Sequence, residues 1–199
     1  MPVADFPNIS PGTFSMINRV PTIINRTLSG RETRTIQQTP RFVIAAEYNT
    51  QDITNRRLIE GHVGLASGPL NDFDLNLPVG YKDTQGDITG TIETTSGASA
   101  GATSIGITTP SFSSGTALKA GDYIRFNGQT KVYIVTEDVA ITSNAGTMNI
   151  FPALQADIGT GIEMDFNDVQ IRVRYNADIE HSVRASGFSD IEIEFIEVV

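Results

Sequence analysis

The sequence predicts a mostly β fold: a β-sandwich with one helix, interrupted by an inserted small β-barrel. Three observations point there. The 199 residues include 18 Gly and 9 Pro, with abundant Thr, Ser, Ile and Val, a mix that favours strands and turns over helices. Short runs of alternating apolar and polar residues recur between Gly, Asn and Pro punctuation, most clearly Val169 to Tyr175 and Ile191 to Val198. Only one long segment, Asn49 to Ala66, shifts to a helical period.

Met1 to Gly12 carries Pro2, Pro7 and Pro11 and reads as an extended arm, not a packed element. Thr13 to Asn18 is a short strand, and Pro21 and Ser29-Gly30 bracket another, Thr22 to Thr27. Arg31 to Gln38 is polar and extended. Pro40 to Tyr48, opened by a proline and rich in β-formers, is the best strand of this half. In the helical segment Thr50 or Asp52 is the candidate cap. Ile53, Ile59, Val63 and Ala66 fall on one face, with Arg56, Arg57 and Glu60 turned away. Gly61 and Gly64 weaken this helix by about 1 kcal/mol each. Gly68-Pro69 ends it. Phe73, Leu75 and Leu77 then alternate with Asp72, Asp74 and Asn76 in a half-buried strand stopped by Pro78.

Residues 79–102 are rich in Gly, Ser and Ala around one candidate strand, Ile88 to Thr94. Five short runs follow: Thr103 to Thr108, Tyr123 to Phe126, Lys131 to Thr136, Thr147 to Phe151 and Ile162 to Phe166. That spacing suggests a small barrel or sandwich over residues 86–167. Its expected inward set is Ile105, Ile107, Tyr123, Ile124, Phe126, Val132, Ile134, Met148, Ile150 and Phe166. Three strands close the chain: Val169 to Tyr175, Ile179 to Ala185 and Ile191 to Val198. Arg172 and Arg174 are expected to face Glu192, Glu194 or Glu197 across them. The expected outer domain is therefore discontinuous, residues 1–85 with 168–199, and the barrel is inserted in it.

The net charge of −9 gives the chain no electrostatic reason to coat nucleic acid or an anionic membrane. The charge is uneven. Arg19, Arg26, Arg31, Arg34, Arg41, Arg56 and Arg57 stand against only Glu32, Glu47 and Asp52 in residues 19–57, so the remainder is strongly acidic. Such polarity suits contact between copies of the chain. A solvated surface with chance clustering would look the same. There is no Cys, which excludes disulfides and thiolate metal sites. No signal peptide is visible at Met1 to Asn8, and no apolar run approaches the roughly 18 residues that span a bilayer.

Nothing in the sequence converges on catalysis, so no catalytic, cofactor-binding or metal residues are expected. Gly97-Ala98-Ser99-Ala100-Gly101 matches the nucleophile-elbow spacing, but that motif needs a helix after the turn, and Thr103 to Thr108 is β-like. Asp72, Asp74 and Asn76 alternate as in calcium loops. Leu77 stands where that loop needs Gly, with Pro78 after it, so the polar face of a strand is the expected role. His62 and His181 each stand alone, one expected to cap or pack on the helix and the other on a strand. Glu60, Asp122 and Asp138 are carboxylates with nothing to mark them as a glycosidase pair.

Several short stretches together resemble the distal tail protein family of tailed bacteriophages and related tail and baseplate proteins. They are Asp5-Phe6-Pro7-Asn8, then Ser29-Gly30-Arg31-Glu32 leading to Pro40-Arg41-Phe42, the helix followed by a strand ending in Leu77-Pro78, and the acidic strand Glu192 to Val199. In the middle of the chain, Leu118-Lys119-Ala120-Gly121-Asp122-Tyr123-Ile124, Lys131-Val132-Tyr133 and Ile150-Phe151-Pro152-Ala153-Leu154 are similar to stretches of the same proteins. Phe42, where the family often has Trp, and the helix glycines depart from it. The resemblance implies a non-enzymatic structural subunit of the virion tail, assembled in the bacterial cytoplasm. It implies a self-associated ring, commonly six-fold, that joins the tube to the hub and fibres. It also implies that an arm such as residues 1–12 lies on a neighbouring subunit. The alternative is a carbohydrate-binding β module for host adhesion, which predicts an exposed aromatic platform drawn from Tyr123, Phe126, Tyr133 or Phe151.

Overall fold

A computed structural model describes residues 4–36, 38–48, 53–177, 182–183 and 189–199. The protein is mostly β with one helix, and its contacts divide it into two compact units. Unit 1 is Met1–Phe73 with Val173–Val199, and unit 2 is Asp74–Arg172. The expected barrel borders at 86 and 167 lie inside unit 2, which also takes in the chain segments on either side.

Unit 1 is built on β1 (Thr13–Arg19), β4 (Arg41–Tyr48) and β16 (Ser189–Glu197), joined by β14 (Gln170–Tyr175) and β5 (Phe73–Asn76) in the order β1-β4-β16-β14-β5. β5 carries the chain out of unit 1 and β14 brings it back. A short strand, β15 (Ser182–Val183), pairs with β16; the rest of the expected strand at 179–185, with His181, lies outside the described residues. The strands alternate strictly. Phe42, Ile44, Ala46 and Tyr48 of β4 are buried, as are Ile191, Ile193 and Phe195 of β16. This period of two gives the sheet one buried face. Helix α1 (Ile53–Ala66) supplies Ile59, His62 and Ala66 as its buried side. One feature differs from expectation. Ile53 is exposed, because burial follows the stripe through residues 59, 62 and 66, with His62 at its centre. The candidate caps Thr50 and Asp52 lie outside the described residues.

The register also corrects the expected Arg–Glu pairs. Arg174 lies opposite Ile196, and Glu192 lies opposite Glu47 of β4. Arg172 pairs instead with Asp74 of β5 at 3.1 Å. Glu197 turns inward, fully buried, and its Oε2 accepts a hydrogen bond from the Phe42 backbone N–H at 3.0 Å.

β2 (Thr22–Arg26) and β3 (Glu32–Ile36) form a separate two-stranded sheet. It prolongs the β1–β4 ribbon past the Arg19–Arg41 pair, after the breaks at Pro21 and Pro40. Its turn is closed by Thr27: the Thr27 N–H donates to Arg31 O at 2.9 Å, and the Arg31 N–H donates to Thr27 Oγ1 at 3.1 Å. Gly30 takes the left-handed conformation, φ 80°, that this turn requires.

Unit 2 is an eight-stranded, barrel-like sheet. Its strands are β6 (Glu93–Thr94), β7 (Ser104–Thr108), β8 (Ser114–Leu118), β9 (Tyr123–Phe126), β10 (Val132–Val135), β11 (Val139–Thr142), β12 (Ala145–Phe151) and β13 (Met164–Asp165). Only the end of the expected strand Ile88 to Thr94 is extended in the sheet. β11 and β12 form a hairpin whose two turn residues, Ser143 and Asn144, both have positive φ, which matches the right-handed twist of the strands. The core holds Ile105, Ile107, Ile124, Phe126, Met148, Ile150 and Phe166 as expected. On β10, however, Tyr133 and Val135 point into it, while Ile134 is half-buried on the opposite face and Tyr123 of β9 lies opposite Ile134. Val132 is buried outside this core cluster. Tyr133 enters the core because its hydroxyl is satisfied there: it donates to Gln129 Oε1 at 2.9 Å and accepts from the Gln155 N–H at 3.1 Å.

Candidate functional site

Several of the residues singled out in the sequence make structural contacts. Ser99 is exposed in a turn that leads into strand β7, so the helix that an elbow nucleophile needs is missing after it. Ala102 donates to its carbonyl at 3.1 Å. Asp74 and Asn76 line the polar face of β5. Asp74 meets Arg172 at 3.1 Å and Arg125 at 3.8 Å, and Asn76 Oδ1 accepts from Gln170 Nε2 at 2.7 Å. Among the described residues, no group of three or more His, Cys, Asp or Glu is placed to hold a metal ion.

Asp122 and Asp138 both clamp one turn. Asp122 is buried and accepts from the Lys119 N–H at 2.8 Å, the Gln85 N–H at 3.0 Å and the Thr84 hydroxyl. Asp138 Oδ1 accepts from the Ala120 N–H at 3.0 Å. Gly121, φ 97°, closes this turn between β8 and β9. The stretch Leu118 to Ile124 is thus a strand-turn-strand device in which a carboxylate replaces water at three donors. Glu60 forms an ion pair with Arg56 at 2.8 Å on the helix.

Of the aromatics expected on a glycan platform, Phe126 and Tyr133 are fully buried, with ring centroids 5.6 Å apart. Phe151 and Tyr123 are half-buried, and the Tyr123 ring lies 5.7 Å from that of Tyr81. Burial raises the Tyr123 pKa, with the neighbouring Tyr81 adding to the shift.

His62 is the centre of an aromatic cluster that the sequence did not reveal. Phe73 meets its ring edge-on at 4.6 Å, Phe6 at 5.3 Å and Tyr175 at 6.1 Å. Tyr48 and Phe195 complete the cluster around Phe6. Its two nitrogens have different tasks. Nε2 donates to the Ala4 carbonyl at 2.9 Å, which leaves Nδ1 to accept the Tyr175 hydroxyl proton at 2.8 Å in the neutral ring. Burial lowers the His62 pKa, opposed by the bond to Ala4 and the charge of Asp5. Residues 4–12 lie outside regular secondary structure, as expected of an arm, but Phe6 is buried and His62 holds Ala4. This part of the arm therefore docks on its own unit.

The surface of unit 1 is unusual where the core is not. Among the described residues eleven large apolar side chains are exposed, and all but Val79 belong to unit 1. Ile23, Ile24, Leu28 and Ile36 sit on the β2–β3 hairpin, with Leu28 wholly exposed at its tip. No helix among the described residues is long and apolar enough to cross a membrane. Compared with known proteins, the chain matches no protein-family model and no curated protein sequence.

Proposed function

We propose that this protein is a non-catalytic structural subunit that assembles with copies of itself into a closed ring within a bacteriophage tail. The single observation that carries the reading is the exposed hairpin of unit 1. A two-stranded hairpin is only marginally stable alone in water, and every residue of β2 and β3 except Glu32 is exposed. Four large apolar side chains spent on such an element favour burial against a partner. The charge polarity of the chain supports a partner that is another copy, and the family resemblance supplies the tail as the setting. Sites that would draw the reading toward an enzyme are occupied by turn clamps and strand-face ion pairs. Light scattering at tens of micromolar, with electron microscopy of the purified protein, tests it. Rings or defined oligomers are expected; a chain that stays monomeric there and is monomeric in its parent particle would overturn the reading.

A further inference from the structure

The two ends of unit 1 are complementary. β1 and β4 pair in register from Thr13–Glu47 at one end to Arg19–Arg41 at the other. Residues opposite each other share a face, so the uncovered side of the sheet can be read off directly. At one end it carries Glu47 and Glu192, with Glu194 beside Ala45 in the next row; its middle is Ile17, Val43 and Ile196, flanked by Arg174; Arg19 and Arg41 stand at the other end. Ile17, on the edge strand β1, is 64% exposed. Glu47 and Glu192 are directly opposite, a like-charge pair that destabilises a sheet unless a cation joins it.

The hairpin leaves this sheet from the arginine end. It carries Arg26, Arg31 and Arg34 against a single carboxylate, Glu32, which Arg26 and Arg34 share. β4 alone puts about 20 Å between Arg41 and Glu47. The hairpin extends farther, and its exposed strands show that it does not fold back on its own sheet. The basic, apolar-tipped projection and the acidic, apolar-centred face therefore lie at opposite ends of one unit and cannot meet within one chain.

We propose that the β2–β3 hairpin of one copy docks on the open sheet face of the next. Its arginines lie beside Glu47, Glu192 and Glu194, and Ile24, Leu28 and Ile36 cover Ile17, Val43 and Ile196. The contact is head-to-tail, so it closes into a ring or runs on as a filament according to the angle between copies. It deepens the self-assembly reading above and rests on it, naming the two surfaces that meet.

A charge exchange tests the pairing. Arg31→Glu with Arg34→Glu reverses the hairpin, and Glu192→Lys with Glu194→Lys reverses the face. The second change also gives Glu47 an opposite charge across the strands, so it should fold as well as the parent. Circular dichroism checks both. Each variant alone should associate about tenfold or more weakly than the parent in light scattering, and the parent itself should weaken as salt rises. Mixed one to one, the variants should assemble again, because each hairpin now meets a face of opposite charge. Two weakened variants with no rescue, or variants that assemble like the parent, would overturn the proposed pairing while leaving self-assembly itself intact. A parent that never assembles would overturn both.

Discussion

The two units treat their apolar side chains in opposite ways. Unit 2 encloses nearly all of them in one core, from Ile88 to Phe166, and leaves only Val79 among the exposed large ones. Its loops are closed by their own polar groups, as with Asp122 over Lys119 and Gln85. Unit 1 has an equally well-buried interior around Phe73, Tyr175 and Phe195, yet it shows Ile17, Ile24, Leu28, Ile36, Leu58 and Leu65 to solvent. Both interiors satisfy the needs of folding. The excess on unit 1 is what folding leaves unexplained, and the proposed interface would bury it.

The largest effects should come from matched core truncations. Phe126→Ala in unit 2 and Phe195→Ala in unit 1 each remove a fully buried ring and should cost about 3–5 kcal/mol in their own unit, measured by denaturant unfolding. The consequences for assembly should differ: Phe195→Ala abolishes it, whereas Phe126→Ala leaves it in place at concentrations where unit 1 is still folded. Equal loss of assembly from both would mean that the two units do not divide the work.

A smaller effect should follow pH. The folded-state pKa of His62 is depressed, chiefly by burial, so the folded protein binds this proton less readily than the unfolded chain. The stabilisation from neutral His62 is present in full above about 6.5, the ordinary histidine value, and is lost as pH falls through the lower folded value. Thermal unfolding between pH 7.5 and 5 should show unit 1 losing stability toward acid. His62→Gln should be less stable at pH 7.5 and lack that slope. A variant with the parent's slope would place the proton elsewhere.

Much of this architecture was legible in the sequence because strand and helix periods are local. β4 is legible from its β-formers after Pro40, β9 from its short run among regularly spaced ones, β14 and β16 from alternation, and α1 from its change of period. The missed strands explain themselves. β8, Ser114–Leu118, contains Gly115 and Ala117 and carries little β preference of its own; pairing with β11 makes it a strand. β10 was turned inside out because Val132-Tyr133-Ile134-Val135 is apolar at every position, and only the hydroxyl partners Gln129 and Gln155 decide for Tyr133. The His62 cluster gathers residues 6, 48, 62, 73, 175 and 195, which no local pattern joins. The hairpin strand Thr22 to Thr27 is visible in the sequence, but no local pattern tells that Ile23 and Ile24 are left with nothing to cover.

Hydrogen exchange followed against protein concentration tests the division between the units most directly. On passing from the dilute to the assembled protein, residues 22–36 and the strand residues 13–19 should gain protection, and residues 74–172 should not change. Protection gained in 74–172 alone, with the hairpin exchanging as fast as before, would contradict the account.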